Sequence, residues 1–339
     1  MRAVRRSIPL LLILAASFAG PLNPAGQPVA AGQLERLETG AVVIRHHRAD
    51  LRQAHQAAQA TEEALQQMRD VLGVAVRPPV EIVLARGGEE LRHWAGGAVP
   101  EWALGIARTS MEDGASRLVI DLPRTADMDL ANDLLLTLRH ELCHVALAQV
   151  EREAQAKLPV WFHEGVAIWL SGFRLGIDRR PFLDAAGAGR LIPLADLRAG
   201  FPQKFRDAEL AYLQAEDFVT FLVRRGGPDT LRRLLAAFRR EHDFDAAVLE
   251  TFAVPLKHLE AEWAAGHRAR HPFLATLWRH TSLFGVLALA TIAVYLLVRW
   301  RARRRLRQWE EEDQIVAAGR EEGEDAGNAN DEVCWESED

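Results

Sequence analysis

The chain has 339 residues, 49% of them hydrophobic and 26% charged. That composition excludes a wholly disordered polypeptide and allows one large domain or two small ones. The formal net charge of −6 is unevenly placed: residues 299–307 carry six Arg, residues 308–339 carry thirteen acids and one Arg, and residues 1–298 therefore sum to zero, which argues against a nucleic-acid binder, whose binding domain would be basic.

Residues 1–31 read as an export signal. Arg2, Arg5 and Arg6 precede an apolar stretch from Ile8 to Ala19, and Ser17-Phe18-Ala19 places small residues at the two cleavage-determining positions. As a helix those twelve residues would span about 18 Å, short of the roughly 30 Å hydrocarbon core. Pro9 further disfavours a spanning helix. An uncleaved membrane anchor is the alternative.

Short β-like runs follow at Ala41–His46, Val80–Ala85, Leu104–Thr109 and Arg117–Leu122, rich in Val, Ile and Leu. A polar, Ala- and Gln-rich pattern predicts a long helix over Asp50–Leu72. After residue 129 the pattern turns helical, at about 129–155, 160–171, 207–225, 228–240 and 255–266. Residues 172–206 read as a connection with little regular structure. Strands first and helices after predict an α+β domain over 32–278 and not an alternating parallel sheet.

Thr281–Val298 is an uncharged run of eighteen residues, flanked by Trp278 and Arg279 before it and by Arg299 and Trp300 after it. It predicts one transmembrane helix over 279–300, with a buried core helix as the alternative. The Arg cluster beyond it places 301–339 in the cytoplasm, as a basic and then acidic tail predicted to be disordered. A cytoplasmic partner of that tail has only Trp309 and Trp335 to suggest it. The domain would then lie outside the cytoplasm, an arrangement that fits a bacterial inner membrane, with a type I eukaryotic membrane protein as the alternative. Cys143 and Cys334 would lie on opposite sides, leaving Cys143 a buried free thiol.

Chemistry concentrates in His140-Glu141-Leu142-Cys143-His144, an instance of H-E-x-x-H. On a helix the two histidines lie about 40° apart and one turn along, so both imidazoles can reach one ion. Glu141 can reach a water on that ion without occupying a ligand position. A third ligand is needed. Position 150 is Val, and Glu151 and Glu153 are too far along the helix to share the ion. The next candidates are His163 and Glu164 on the apolar helix Val160–Leu170, and neighbours diverging by 100° cannot both face it. His163 reads as a free surface residue.

These positions, with Leu158-Pro159-Val160-Trp161, Glu164-Gly165-Val166-Ala167, Pro100-Glu101-Trp102-Ala103-Leu104-Gly105 and Ala211-Tyr212-Leu213-Gln214-Ala215, resemble the peptidase MA-like family in the gluzincin group of zinc metallopeptidases. The similarity runs from about Ala41 to Trp263. It implies a zincin-like α+β fold: an N-terminal mixed β-sheet with helices, then a mostly helical C-terminal part. It also implies one Zn2+ on His140, His144 and Glu164, with Glu141 as general base and a peptide or protein as substrate. Related enzymes use a strand before the zinc helix as an open edge, here Arg117–Leu122, although a plain sheet strand explains that run equally well. Tyr212 could donate to a developing oxyanion, or be a buried tyrosine bonded to backbone. Thermolysin-like relatives place an acid four residues after the glutamate ligand, and here that position is Ile168. This departure motivates a rival expectation, a membrane-anchored peptide-binding or assembly module without catalysis.

Overall fold

The structure is a computed structural model that describes residues 34–40, 42–96, 99, 103–110, 112–123, 133–172, 179–270, 285, 287–301 and 303. The expected export signal and the tail from 304 onward lie outside the described residues.

Five strands form one sheet: β1 (Glu35–Glu38), β2 (Val43–His46), β3 (Val80–Ala85), β4 (Gly105–Thr109) and β5 (Ser116–Asp121), in the order β1-β2-β3-β5-β4. β2, β3 and β5 are mutually parallel, and β1 and β4 pair antiparallel at the two edges, so the sheet is mixed. β1 is the strand the hydropathy pattern did not announce. Its sequence is Glu-Arg-Leu-Glu and it is mostly exposed, which suits a charged edge.

The expectation that Arg117–Leu122 supplies the open edge is corrected here. That run is β5, enclosed between β3 and β4, and the outer strand is β4. β4 pairs with one side of β5, while the other side pairs with β3. The bonds from Ser110 N–H to the Ala115 carbonyl and from Asp121 N–H to the Leu104 carbonyl set the ladder's phase. Gly105, Ala107 and Thr109 therefore turn their backbone polar groups away from β5.

Nine helices can be traced between residues 51 and 270 among the described residues: α1 (Leu51–Gln67), α2 (Gly88–Ala95), α3 (Asp133–Ala154), α4 (Val160–Ser171), α5 (Arg180–Gly187), α6 (Phe205–Gly226), α7 (Thr230–Glu241), α8 (Phe244–Phe252) and α9 (Leu256–Arg270). One turn of π-helix, Met68–Leu72, extends α1. α2 covers one face of the sheet, where Leu91 and Ala95 pack with Val83, Ile106 and Val119. Ile82, Leu84, Leu118 and Ile120 join α1, α3 and the later helices in the main core on the other face.

α2, α5 and α8 were not foreseen. Each is eight or nine residues long, too short for its periodicity to stand out. α5 lies inside the segment expected to be irregular, and Phe182 anchors it by stacking on Trp263. α8 carries a local start signal, since the Asp243 carboxylate accepts from the Ala246 N–H at 2.8 Å.

The helix that bears the H-E-x-x-H motif is the centre of the domain. From Thr137 to Glu151 every α3 residue except Arg139 is buried, because β4, β5, α1, α4 and α7 all pack on it. The domain ends near Pro272, and the chain beyond it is a separate compact unit. There, residues 287–301 are helical, with Leu289, Tyr295 and Trp300 exposed. No described helix is long and apolar enough to cross a membrane. Residues 279–284 and 286 of the expected span lie outside the described residues.

Candidate metal centre

α3 supplies His140, Glu141 and His144, and α4 supplies His163 and Glu164. The placement of α4 has identifiable causes. Pro159, extended at φ −59° and ψ 141°, starts the helix. The first amides, of Val160 and Trp161, have no partner within their own helix. They donate to the carbonyls of Arg198 (2.9 Å) and Leu197 (3.2 Å) in the segment after α5. Trp161 and Phe162 are fully buried and pack edge-on or tilted against Phe244, with Phe218 on Trp161. One turn along the face that carries Trp161, Gly165 lies so close to α6 that a Cβ there would stand 2.4 Å from the Ala215 carbonyl oxygen. Wedged in this way, α4 turns Glu164 toward α3.

The three donors converge. His140 Nε2 and His144 Nε2 are 3.0 Å apart, and Glu164 Oε2 lies 3.7 Å from the first and 3.9 Å from the second. All three residues are at most 2% exposed. Their ligand atoms fall within 4.8 Å of one another, and no other group of His, Cys, Asp and Glu among the described residues meets that condition. Burial pushes His140 down to about 3 and His144 well below its usual value, the latter also through the other two imidazoles. Both rings are thus neutral at ordinary pH, with lone pairs for coordination. Two neutral imidazoles and one carboxylate, buried and facing one point, suit a divalent cation of the zinc type.

Glu141 points to the β4 side. A Cβ at Gly105 would lie 3.2 Å from Glu141 Cγ and 3.4 Å from its Oε1, so the strand approaches here because residue 105 has no side chain. Neither carboxylate oxygen has a partner at hydrogen-bonding geometry. Burial pushes the carboxyl up to about 8, and the Ala107 backbone amide offsets this only in part. Tyr212 of α6 is 2% exposed and packs edge-on against Phe201. Burial raises its phenol, and the charges of Glu164 and Glu141 raise it further. Cys143 is a buried free thiol, raised by burial and by Glu164.

One expectation is overturned. His163 is not a free surface residue: it is 7% exposed and lies behind His144. Its Nδ1 is 3.2 Å from His144 Nδ1, the two rings are nearly parallel, and its Nε2 is 3.2 Å from Glu151 Oε1. The 100° between neighbours on α4 explains both placements: Glu164 meets the Nε2 side of the α3 histidines, and His163 meets the Nδ1 side of one of them. Ile168 is buried, so no acid acts from that position. Sequence spacing along one helix could not reveal this contact, because Glu151 and His144 meet His163 only across the α3–α4 packing.

With this geometry in view, a family model described as the Peptidase MA superfamily matches residues 60–268 of the chain. That stretch runs from within α1 into α9 and so includes both helices of the centre. No curated protein matches the sequence.

Proposed function

The chain belongs to the peptidase MA superfamily, and from that premise we propose that it is a zinc-dependent peptidase that hydrolyses peptide bonds outside the cytoplasm while anchored in a membrane. The observation that carries the proposal is the convergence of His140, His144 and Glu164, from two separate helices, with Glu141 next to His140 on the first of them.

His140 Nε2, His144 Nε2 and a Glu164 carboxylate oxygen would hold the ion. Zinc at such a site supplies the polarisation that makes water a nucleophile at neutral pH and a carbonyl an electrophile. Glu141 serves as general base: its carboxylate takes a proton from the attacking water and delivers it to the departing amine nitrogen. The Tyr212 phenol stays protonated in this setting and can donate to an oxyanion forming at the carbonyl. The outer strand β4, which approaches Glu141 at Gly105, would offer an extended substrate an edge to pair with. Export by residues 1–31 and anchoring by 279–300 complete the reading, with 301–339 on the cytoplasmic side.

The test is to purify the full chain in detergent, measure bound zinc by elemental analysis, and assay a broad peptide library beside Glu141→Gln. The expected result is about one zinc per chain in both proteins and cleavage reduced about 10²–10⁴-fold in the variant. Equal cleavage by the two would remove Glu141 from the chemistry. Stoichiometric zinc without cleavage of any peptide would favour a binding module instead.

A further inference from the structure

We propose that His163 and Glu151 are a positioning pair that holds the imidazole of His144 for its metal ion. The inference rests on the reading of His140, His144 and Glu164 as ligands.

The contacts form one chain. His144 Nε2 faces His140 and Glu164, and its Nδ1 faces His163 Nδ1 at 3.2 Å. His163 Nε2 then faces Glu151 Oε1 at 3.2 Å. Glu151 is held in turn: its Oε1 accepts from the Leu158 backbone N–H at 2.9 Å, and its Oε2 pairs with Lys157 Nζ at 2.8 Å. Glu151 and His163 are 2% and 7% exposed, so bulk water does not compete for these contacts.

Coordination dictates every proton in the chain. A metal on His144 Nε2 needs the lone pair there, so the ring's one proton sits on Nδ1. His163 Nδ1 must then accept, which puts the His163 proton on Nε2, pointing at an acceptor that is an anionic carboxylate. Glu151 cannot donate back, because its other contacts are donors: an ammonium and an amide. One arrangement of tautomers therefore satisfies all four groups, and it is the arrangement that coordination needs. His163 cannot join the ion itself, since it lies behind the His144 ring, on the side away from His140 and Glu164.

The consequence is rotational. A ring held at one nitrogen alone can turn about its Cβ–Cγ bond, and one held from behind by His163 keeps Nε2 aimed at the ion. Because Leu158 lies in the turn between α3 and α4, the same carboxylate also ties that turn to the orientation of His144.

The test uses the full chain and zinc alone, with affinity read by competition against a chromophoric chelator. His163→Phe fills the same buried space without an acceptor for Nδ1–H. It should weaken zinc binding about 10–100-fold, with the melting temperature of the chelator-treated protein unchanged. His163→Asn, whose side-chain oxygen can accept from His144 Nδ1–H, should recover most of the loss. Nitrogen-15 NMR of the zinc-loaded wild type should show the His144 proton on Nδ1 and slow to exchange. That spectrum decides the matter by itself if His163→Phe does not fold. Zinc affinity of His163→Phe within twofold of wild type overturns the positioning role, as does a His144 ring protonated on Nε2. A wild-type chain that binds no zinc overturns the ligand reading itself, and this inference with it.

Discussion

Glu141 sits one residue beyond His140 on a helix that is enclosed on nearly every side, and its position has a cost that the neighbouring histidines share in the opposite sense. In the metal-free folded domain its carboxyl titrates near 8, against a usual value of 4.5. The folded state therefore keeps a proton that the unfolded chain has released. The stability this proton contributes is fully present below pH 4.5 and is lost as pH rises through 8. His140 behaves inversely, with a folded value near 3 against 6.5, so its contribution is present above pH 6.5 and fades as pH falls toward 3. In chelator-treated protein, Glu141→Gln should remove the alkaline loss and leave the acid limb untouched. Urea unfolding from pH 5 to 8 should show the variant gaining on wild type by up to about 1.4 kcal/mol per pH unit. Parallel curves would mean that Glu141 does not remain neutral on burial.

At the scale of elements, the centre depends on how closely α4 lies against α6. Gly165 permits that approach, and its successor-sized neighbour would not: an added methyl would meet the Ala215 carbonyl at 2.4 Å and Val219 Cγ2 at 2.8 Å. A backbone carbonyl inside a helix cannot swing aside as a side-chain end can. Gly165→Ala should therefore destabilise by about 3 kcal/mol, the upper end for overpacking, and weaken zinc affinity as Glu164 is displaced. Gly172→Ala is the comparison. That residue ends the same helix at φ +67° with nothing within 4 Å of a Cβ, so it should cost about 1–2 kcal/mol of backbone strain and leave affinity unchanged. Thermal melts with chelator titrations on both variants separate the two effects. Equal losses of affinity would show that general instability, and not the α4–α6 contact, governs the site. The helices themselves were legible where they are long: α3, α4, α6 and α7 follow from apolar spacing and from marks such as Pro159 and Gly172. α5 and α8 were not, because two turns of helix carry too few apolar positions to define a face.

For the whole molecule, the domain up to about Pro272 and the chain beyond it are separate compact units, and the proposal assigns them to two compartments. Expressed in bacteria, the full chain should remain with membranes after alkaline carbonate washing. The same chain ended after residue 272 should be recovered in the soluble periplasmic fraction. Recovery of the full chain in the soluble fraction would dismiss the anchor and leave the metal centre standing.

The sequence by itself determined the charge layout, the α+β order and the three candidate ligands with the base beside them, because H-E-x-x-H places its side chains through helical geometry alone and the glutamate of α4 follows at a family spacing. Tertiary structure decided what depends on contacts between elements. It put β4 and not β5 at the sheet's edge, since register and strand order are set by pairing partners far apart in the chain. It also carried His163 from an expected surface to the back of His144, since whether a polar helix residue meets water or a neighbour depends on what packs there. Local periodicity describes one helix at a time, and the chemistry of this centre arises where two of them meet.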